Sequence, residues 1–187
     1  MQVLKEEIKE KIFNAAIQAF YEKGYQKTTM QDIADKAGIA PSLIYSYYKG
    51  KQQLFNQIVD PVLIKLPDTL RQAEQSSGLP YDKYVNIEKA FFMSLLDKRL
   101  EFIILMDKSA GTSHHNAKEE MICLVEEHIR KGLSKQEKEY DDLFAHLMAS
   151  NFVESFLEIV RHYKSRDWAE EMFDLMAQHL ILGNHYL

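Results

Sequence analysis

The chain has a single cysteine, Cys123, which excludes an intrachain disulfide and any cysteine-built zinc site. Four prolines and seven glycines are too few for a collagen-like or proline-rich architecture. No run approaches the ~20 apolar residues of a membrane span, so none is expected. The opening residues, Met1-Gln-Val-Leu-Lys-Glu-Glu-Ile-Lys-Glu, are charged where a secretory signal would be apolar. A cytoplasmic protein is therefore expected. Period-2 alternation and Asn-Gly or Asp-Gly turns are also missing, which leaves little room for hairpins. Arginine is absent before Arg71.

What is present is a chain of 187 residues, 46% hydrophobic and 27% charged, enough to bury a real core. The net charge of -5 is unevenly spread: residues 1–66 carry nine lysines against seven acids, a net +2, and the remainder carries -7. A mildly basic head on an acidic body keeps nucleic acid open as a partner, because charge acts by region.

Helical periodicity runs through most of the sequence. Ile8, Ile12, Ala16 and Phe20, with Ala15 and Ala19, form one stripe that ends at Gly24. Thr29 reads as the N-cap of a second helix, with Asp32 at a position where a capping acid helps. Met30, Ile33, Ala34 and Ala37 follow at helical spacing, and Gly38 closes that helix. A third helix opens at Pro41, where proline is tolerated, with Ile44 and Tyr48 facing inward. A fourth starts near Gly50–Lys51 and runs to Pro61 through Leu54, Phe55 and Ile58. The stretch from Leu66 to Pro80 reads as a loop-rich boundary, followed by helices near 81–97, 99–109, 116–132, 140–164 and 167–183. The fold expected is all-α, with about nine helices: a three-helix N-terminal head over 6–66 and a larger helical body over 67–187.

Residues 29–48 hold a short helix, a glycine-bearing turn and a second short helix, the helix-turn-helix pattern whose second helix enters the major groove. With Ile44 and Tyr48 inward, Ser42, Tyr45, Ser46 and Lys49 fall on the outer face. Lys51 adds a cation at a helix start, a position suited to phosphate. The string Gly24-Tyr25, Thr28-Thr29-Met30-Gln31-Asp32-Ile33-Ala34, Ala37-Gly38-Ile39, Ile44-Tyr45-Ser46-Tyr47-Tyr48 and Lys51-Gln52-Gln53-Leu54-Phe55 resembles the tetracycline-repressor (TetR) family in order and spacing over about residues 6–66.

That resemblance implies a transcriptional regulator, usually a repressor, that binds a palindromic operator of double-stranded DNA as a homodimer and is released by a small-molecule effector. Carried onto matching positions, Thr29, Tyr45, Tyr47 and Lys51 resemble phosphate-contacting residues, while Ala40, Pro41, Ser42, Leu43 and Ser46 stand at base-reading positions. Ala40 departs from the usual capping serine, and Leu43 favours a thymine methyl. With no arginine in the head, Lys49 is left as a guanine reader.

The resemblance also implies dimerisation through the last two long helices. Their broad apolar faces, with Phe152, Phe156, Ile159, Trp168, Met172, Met176 and Leu180, suit that role. Phe91, Phe92, Phe102, Met106, Met121, Phe144 and Met148 are candidates to line an apolar effector cavity, since Met and aromatics suit adaptable sites. His114, His115, His128, His146 and His179 fit no metal signature, and no metal or cofactor is expected. Cys123 is expected to be a small core residue. Adjacent carboxylates such as Glu119-Glu120 splay apart on a helix, and no nucleophile elbow, phosphate loop or dinucleotide fingerprint occurs. An enzyme is therefore not expected. The alternative is an all-α small-molecule-binding or enzymatic protein whose helix-turn-helix serves protein contacts.

Overall fold

The computed structural model describes residues 2–136 and 138–182, with the side chains of residues 5–136 and 138–181. Among the described residues the regular structure is entirely helical. The helices fall into two compact units, one running to Leu63 and taking in Leu100–Ala117, the other comprising Ile64–Arg99 and the chain from Lys118 onward.

In the first unit, α1 (Gln2–Lys27) kinks at Gly24, whose φ of 73° a side chain would strain. The helical turn beyond the kink is tied back by the Tyr25 N–H donating to the Lys108 carbonyl at 2.9 Å. Then come α2 (Met30–Ala37), α3 (Pro41–Tyr45) and α4 (Lys51–Val59), the last stopping two residues before Pro61. Ile12, Ala16, Ala19, Phe20, Ile33, Ala34, Ile44, Leu54 and Phe55 form the core of this unit, all fully buried. Phe20 and Phe55 meet edge-on at 5.1 Å. The stripe read from the sequence is therefore the packed face of α1.

The second unit begins with a helix where a loop was expected. α5 (Leu66–Gln75) puts Pro67 in its first turn, where proline is tolerated, and buries Leu66, Leu70 and Ala73 at i, i+4, i+7. Proline and serine favour a loop by composition, but the packed stripe decides the fold. α6 (Pro80–Lys83), a π-helical segment (Tyr84–Glu88) and α7 (Lys89–Asp97) run on continuously. α8 (Arg99–Asp107) belongs from Leu100 onward to the first unit, and α9 (Ala117–Leu133), α10 (Asp142–Arg161) and α11 (Arg166–Leu182) complete the second. Phe92, Phe156 and Phe173 are fully buried and, with Phe152, form an aromatic cluster with ring centroids 5.0–5.8 Å apart.

Cys123 is exposed, contrary to expectation. The buried stripe of α9 is Met121 and Val125, and position 123 points the other way on a 3.6-residue helix. Asp142–Arg161 is a helix long and apolar enough to cross a membrane by length and composition, with mean hydropathy 1.3. Its Ala145, Ala149, Phe152, Val153, Phe156, Leu157 and Val160 are buried in the protein, the pattern of a helix packed along one face.

Candidate nucleic-acid interface

The α2–α3 pair is built from its caps upward. The Thr29 hydroxyl accepts from the Asp32 N–H at 3.1 Å, and Asp32 Oδ2 accepts from the Thr29 N–H at 2.8 Å, a reciprocal capping box. Lys23 donates to Asp32 at 2.6 Å. The Lys23 ammonium, followed by the Thr29 donors, holds the Asp32 carboxyl far below the usual carboxylate range. At the other end, Gly38 adopts φ 60°, ψ 40°, a left-handed turn that glycine enters without strain. Thr29→Ala removes one half of the box and is expected to cost about 1 kcal/mol of stability in this unit, read by urea denaturation. An unchanged midpoint would show that the cap does not hold the pair.

Ile44 on α3 and Tyr48 just beyond it are buried, whereas Ser42 and Tyr45 on the helix and Ser46 and Lys49 after it are exposed, Tyr45 by 56%. The outward face expected from the phase is thus presented to solvent. Its helix is shorter than the periodicity suggests: α3 ends at Tyr45, Ser46 is its cap, and Lys49 stands beyond the last turn. The Ser46 hydroxyl donates to the Leu43 carbonyl at 2.6 Å. Ala40 is the N-cap without any side-chain hydrogen bond, as its methyl requires. Pro41, Leu43 and Tyr47 are half-buried at the edge of this face.

Lys51 is placed differently from expectation. Its ammonium points inward and donates to the carbonyls of Tyr25 at 2.7 Å and Thr28 at 2.8 Å. It also lies 4.2 Å from the centre of the Tyr25 ring, and burial lowers its pKa. Lys51 therefore ties α4 to the end of α1, and its side chain is not a free phosphate contact. Sequence alone marks a cation at a helix start; it does not show which carbonyls come within reach of it.

The second unit contains a cavity of about 520 Å³, within the ordinary range for small-molecule sites. Phe92, Phe144 and Met148 are among its lining residues, with Leu70, Val125, His128, Ile129 and Phe152. Phe91 and Met121 are buried in the same unit without lining it. Phe102 and Met106 are buried in the first unit, because α8 from Leu100 onward packs there. Two residues expected at a dimer seam are also core residues: Phe156 is fully buried and Phe152 only 9% exposed, each against Phe92 and Phe173. The outward apolar positions of these helices are instead Leu143, Leu147 and Leu175, all more than half exposed, with Ile159, Trp168, Met172, Met176 and Leu180 half-buried.

Three of the histidines singled out in the sequence, His114, His128 and His146, lie against carboxylates. His114 lies 3.1 Å from Asp60, and His146 2.8 Å from Glu126. His128, in the cavity wall, sits between Glu74 at 3.4 Å and Glu88 at 3.3 Å. Burial alone would lower the His128 pKa, but Glu88 and Glu74 outweigh it and raise it.

Comparison with known proteins bears on the capped helix pair directly. Residues 12–58 match the family model described as bacterial regulatory proteins, tetR family. The transcriptional repressor KstR2 of Mycolicibacterium smegmatis is 25% identical over 105 residues, 56% of this chain and 51% of that protein. The chain spans about half the length of the curated relatives it matches. A putative fatty acid metabolism regulator of Clostridium perfringens has a similar structure, with TM-score 0.66 and 26% identity over 92% of this chain and 97% of that one. The Bacillus subtilis regulator FadR, solved with stearoyl-CoA, shares the fold at TM-score 0.62 and 16% identity, over 93% of this chain and 98% of that one. A capping box, a left-handed glycine turn and a second helix with an exposed face all lie inside residues 12–58, the segment that is similar to the tetR family of bacterial regulatory proteins.

Proposed function

We propose that the protein is a cytoplasmic DNA-binding transcriptional repressor that binds a palindromic operator as a homodimer and is released when a small molecule fills the cavity of the second unit. The observation that carries this reading is the exposed face Ser42, Tyr45 and Ser46 on the second helix of the capped pair. These side chains suit hydrogen bonds to phosphate and base edges, and Tyr45 adds a flat apolar body. The chain's relatives carry names of transcriptional regulators, which supports regulation over catalysis. The fold of FadR holds stearoyl-CoA in that protein, which supports a body able to take a ligand.

Self-association is assigned to the outward apolar positions of α10 and α11, led by Leu147 and Leu175 at 56% and 54% exposure. Two heads joined in this way would read two half-sites about one helical turn apart. Selection of bound fragments from a random duplex pool tests the reading; an inverted repeat is expected. Leu175→Glu puts a charge into the seam at a position exposed in the single chain, so sedimentation should shift from dimer to monomer while helicity is unchanged. Operator affinity should fall with it. A wild-type chain that is monomeric at micromolar concentration, or a selection that enriches no sequence, would overturn the reading.

A further inference from the structure

The walls of the cavity carry both charges, but not in equivalent states. Glu74 and Glu88 are engaged: His128 lies between them, and Lys131 reaches Glu74 at 3.3 Å. Lys131 is itself shared with Glu127 at 2.9 Å. The other two cations of the lining, Lys83 and Lys135, have no carboxylate partner among the described residues. The free charge offered to an occupant is therefore positive, in a chain whose net charge is -5.

The position of Lys83 has a structural cause. Lys83, Glu88 and Phe92 line the cavity together, although they stand five and four residues apart. On a regular α-helix a five-residue step turns the side chain far away from its predecessor. The π-helical segment Tyr84–Glu88 absorbs the extra residue, as i→i+5 bonding does, and returns Lys83 to the face of Glu88 and Phe92. Such single-turn π segments recur at functional sites. Burial sorts the remaining lining into two ends. Phe92, Val125 and Phe152 are buried and form the deep end, whereas Leu79, Lys131 and Lys135 are exposed and form the mouth.

We propose that the cavity takes a single-chain amphiphile with an anionic head, a carboxylate or a phosphate ester, its tail against Phe92, Val125, Ile129 and Phe152 and its head held by Lys83 and Lys135. This rests on the cavity being the effector site, and it adds the ligand's charge and shape. The Glu74–His128–Glu88 cluster closes on itself and leaves the head to the two lysines. Uncharged amphiphiles gain only the apolar burial, and cationic ones meet Lys83 and Lys135 as like charges.

The test compares heads on one tail: dodecanoate, dodecyl phosphate, dodecanol and dodecyltrimethylammonium, each titrated calorimetrically below its micelle-forming concentration into the full chain. Dodecanoate or dodecyl phosphate should bind about 5- to 20-fold more tightly than dodecanol, the reach of two partly exposed ion pairs. Whichever binds more tightly identifies the head. Raising salt should shrink that preference. The double variant Lys83→Gln, Lys135→Gln should abolish the preference while dodecanol affinity stays the same, which shows that the cavity is intact. Equal affinity for the anions and dodecanol, or tighter binding of the ammonium, overturns the anionic head and leaves the cavity as an apolar site. No binding by any of the four probes overturns the effector site itself and the ligand class with it.

Discussion

Lys51→Met should lower the stability of the first unit by about 2 kcal/mol, the range for hydrogen bonds from a charged donor to partly buried acceptors. The ammonium donates to the Tyr25 and Thr28 carbonyls at 2.7 and 2.8 Å, and methionine keeps the stem while leaving both oxygens without that donor. Thr28 is buried here, its hydroxyl donating to the Ala19 and Gly24 carbonyls at 3.1 and 2.8 Å. Loss of Lys51 therefore loosens the junction that sets α4 against the end of α1. The signature in DNA binding should be distinct. The slope of log affinity against log salt should be unchanged for folded Lys51→Met, because this ammonium is held by the Tyr25 and Thr28 carbonyls. Lys49→Gln, at an exposed position, should leave stability alone and lower that slope by about one. A Lys51 variant of unaltered stability whose slope drops by one would show that the side chain turns outward to DNA.

A larger effect is expected from Phe156→Ala, at about 3–5 kcal/mol, the cost of removing a fully buried aromatic ring. Phe156 packs at 5.3 Å on Phe92 and 5.0 Å on Phe173, and the same cluster holds Phe152, which lines the cavity. Urea denaturation followed by Trp168 fluorescence reads the same unit, since Trp168 lies in the first turn of α11. The variant should lose ligand binding along with stability, because the wall of the cavity and the aromatic cluster share side chains. Leu175→Glu should do the opposite, changing assembly with little loss of monomer stability, since Leu175 is 54% exposed. Equal stability of Phe156→Ala and wild type would place Phe156 outside the core.

The helical head was legible because its information is local. Thr29, Asp32, Gly38 and Pro41 act within one turn of themselves, so cap, stop and restart could be read from spacing. The phase of α3 followed from Ile44 and Tyr48 for the same reason. The direction of Lys51 was not legible, because its partners are more than twenty residues away in sequence. In the body, the helix pattern was read well except at α5, where proline and serine composition masked the stripe Leu66, Leu70 and Ala73. Apolar residues there were found, but not sorted. Phe152 and Phe156 pack inward, Leu143, Leu147 and Leu175 face outward, and Phe102 and Met106 belong to the first unit. An apolar helix with two apolar neighbours has no single preferred face, and periodicity cannot choose between them. The π segment was invisible to a 3.6-residue template, and with it the place of Lys83.

In the proposed function the exposed residues Ser42, Tyr45 and Ser46 meet duplex DNA. The measurement that tests it most directly is the affinity of the full chain for its best selected duplex between about 50 and 200 mM salt, repeated with a Ser42→Ala, Tyr45→Ala, Ser46→Ala variant. The wild type should lose affinity linearly in log–log form, with a slope of several neutralised phosphates. The triple variant, altered only at exposed positions, should keep its fold and its residual salt-dependent binding while losing discrimination between the selected and a scrambled duplex. Discrimination that survives the triple change, or affinity indifferent to salt, would contradict the claim.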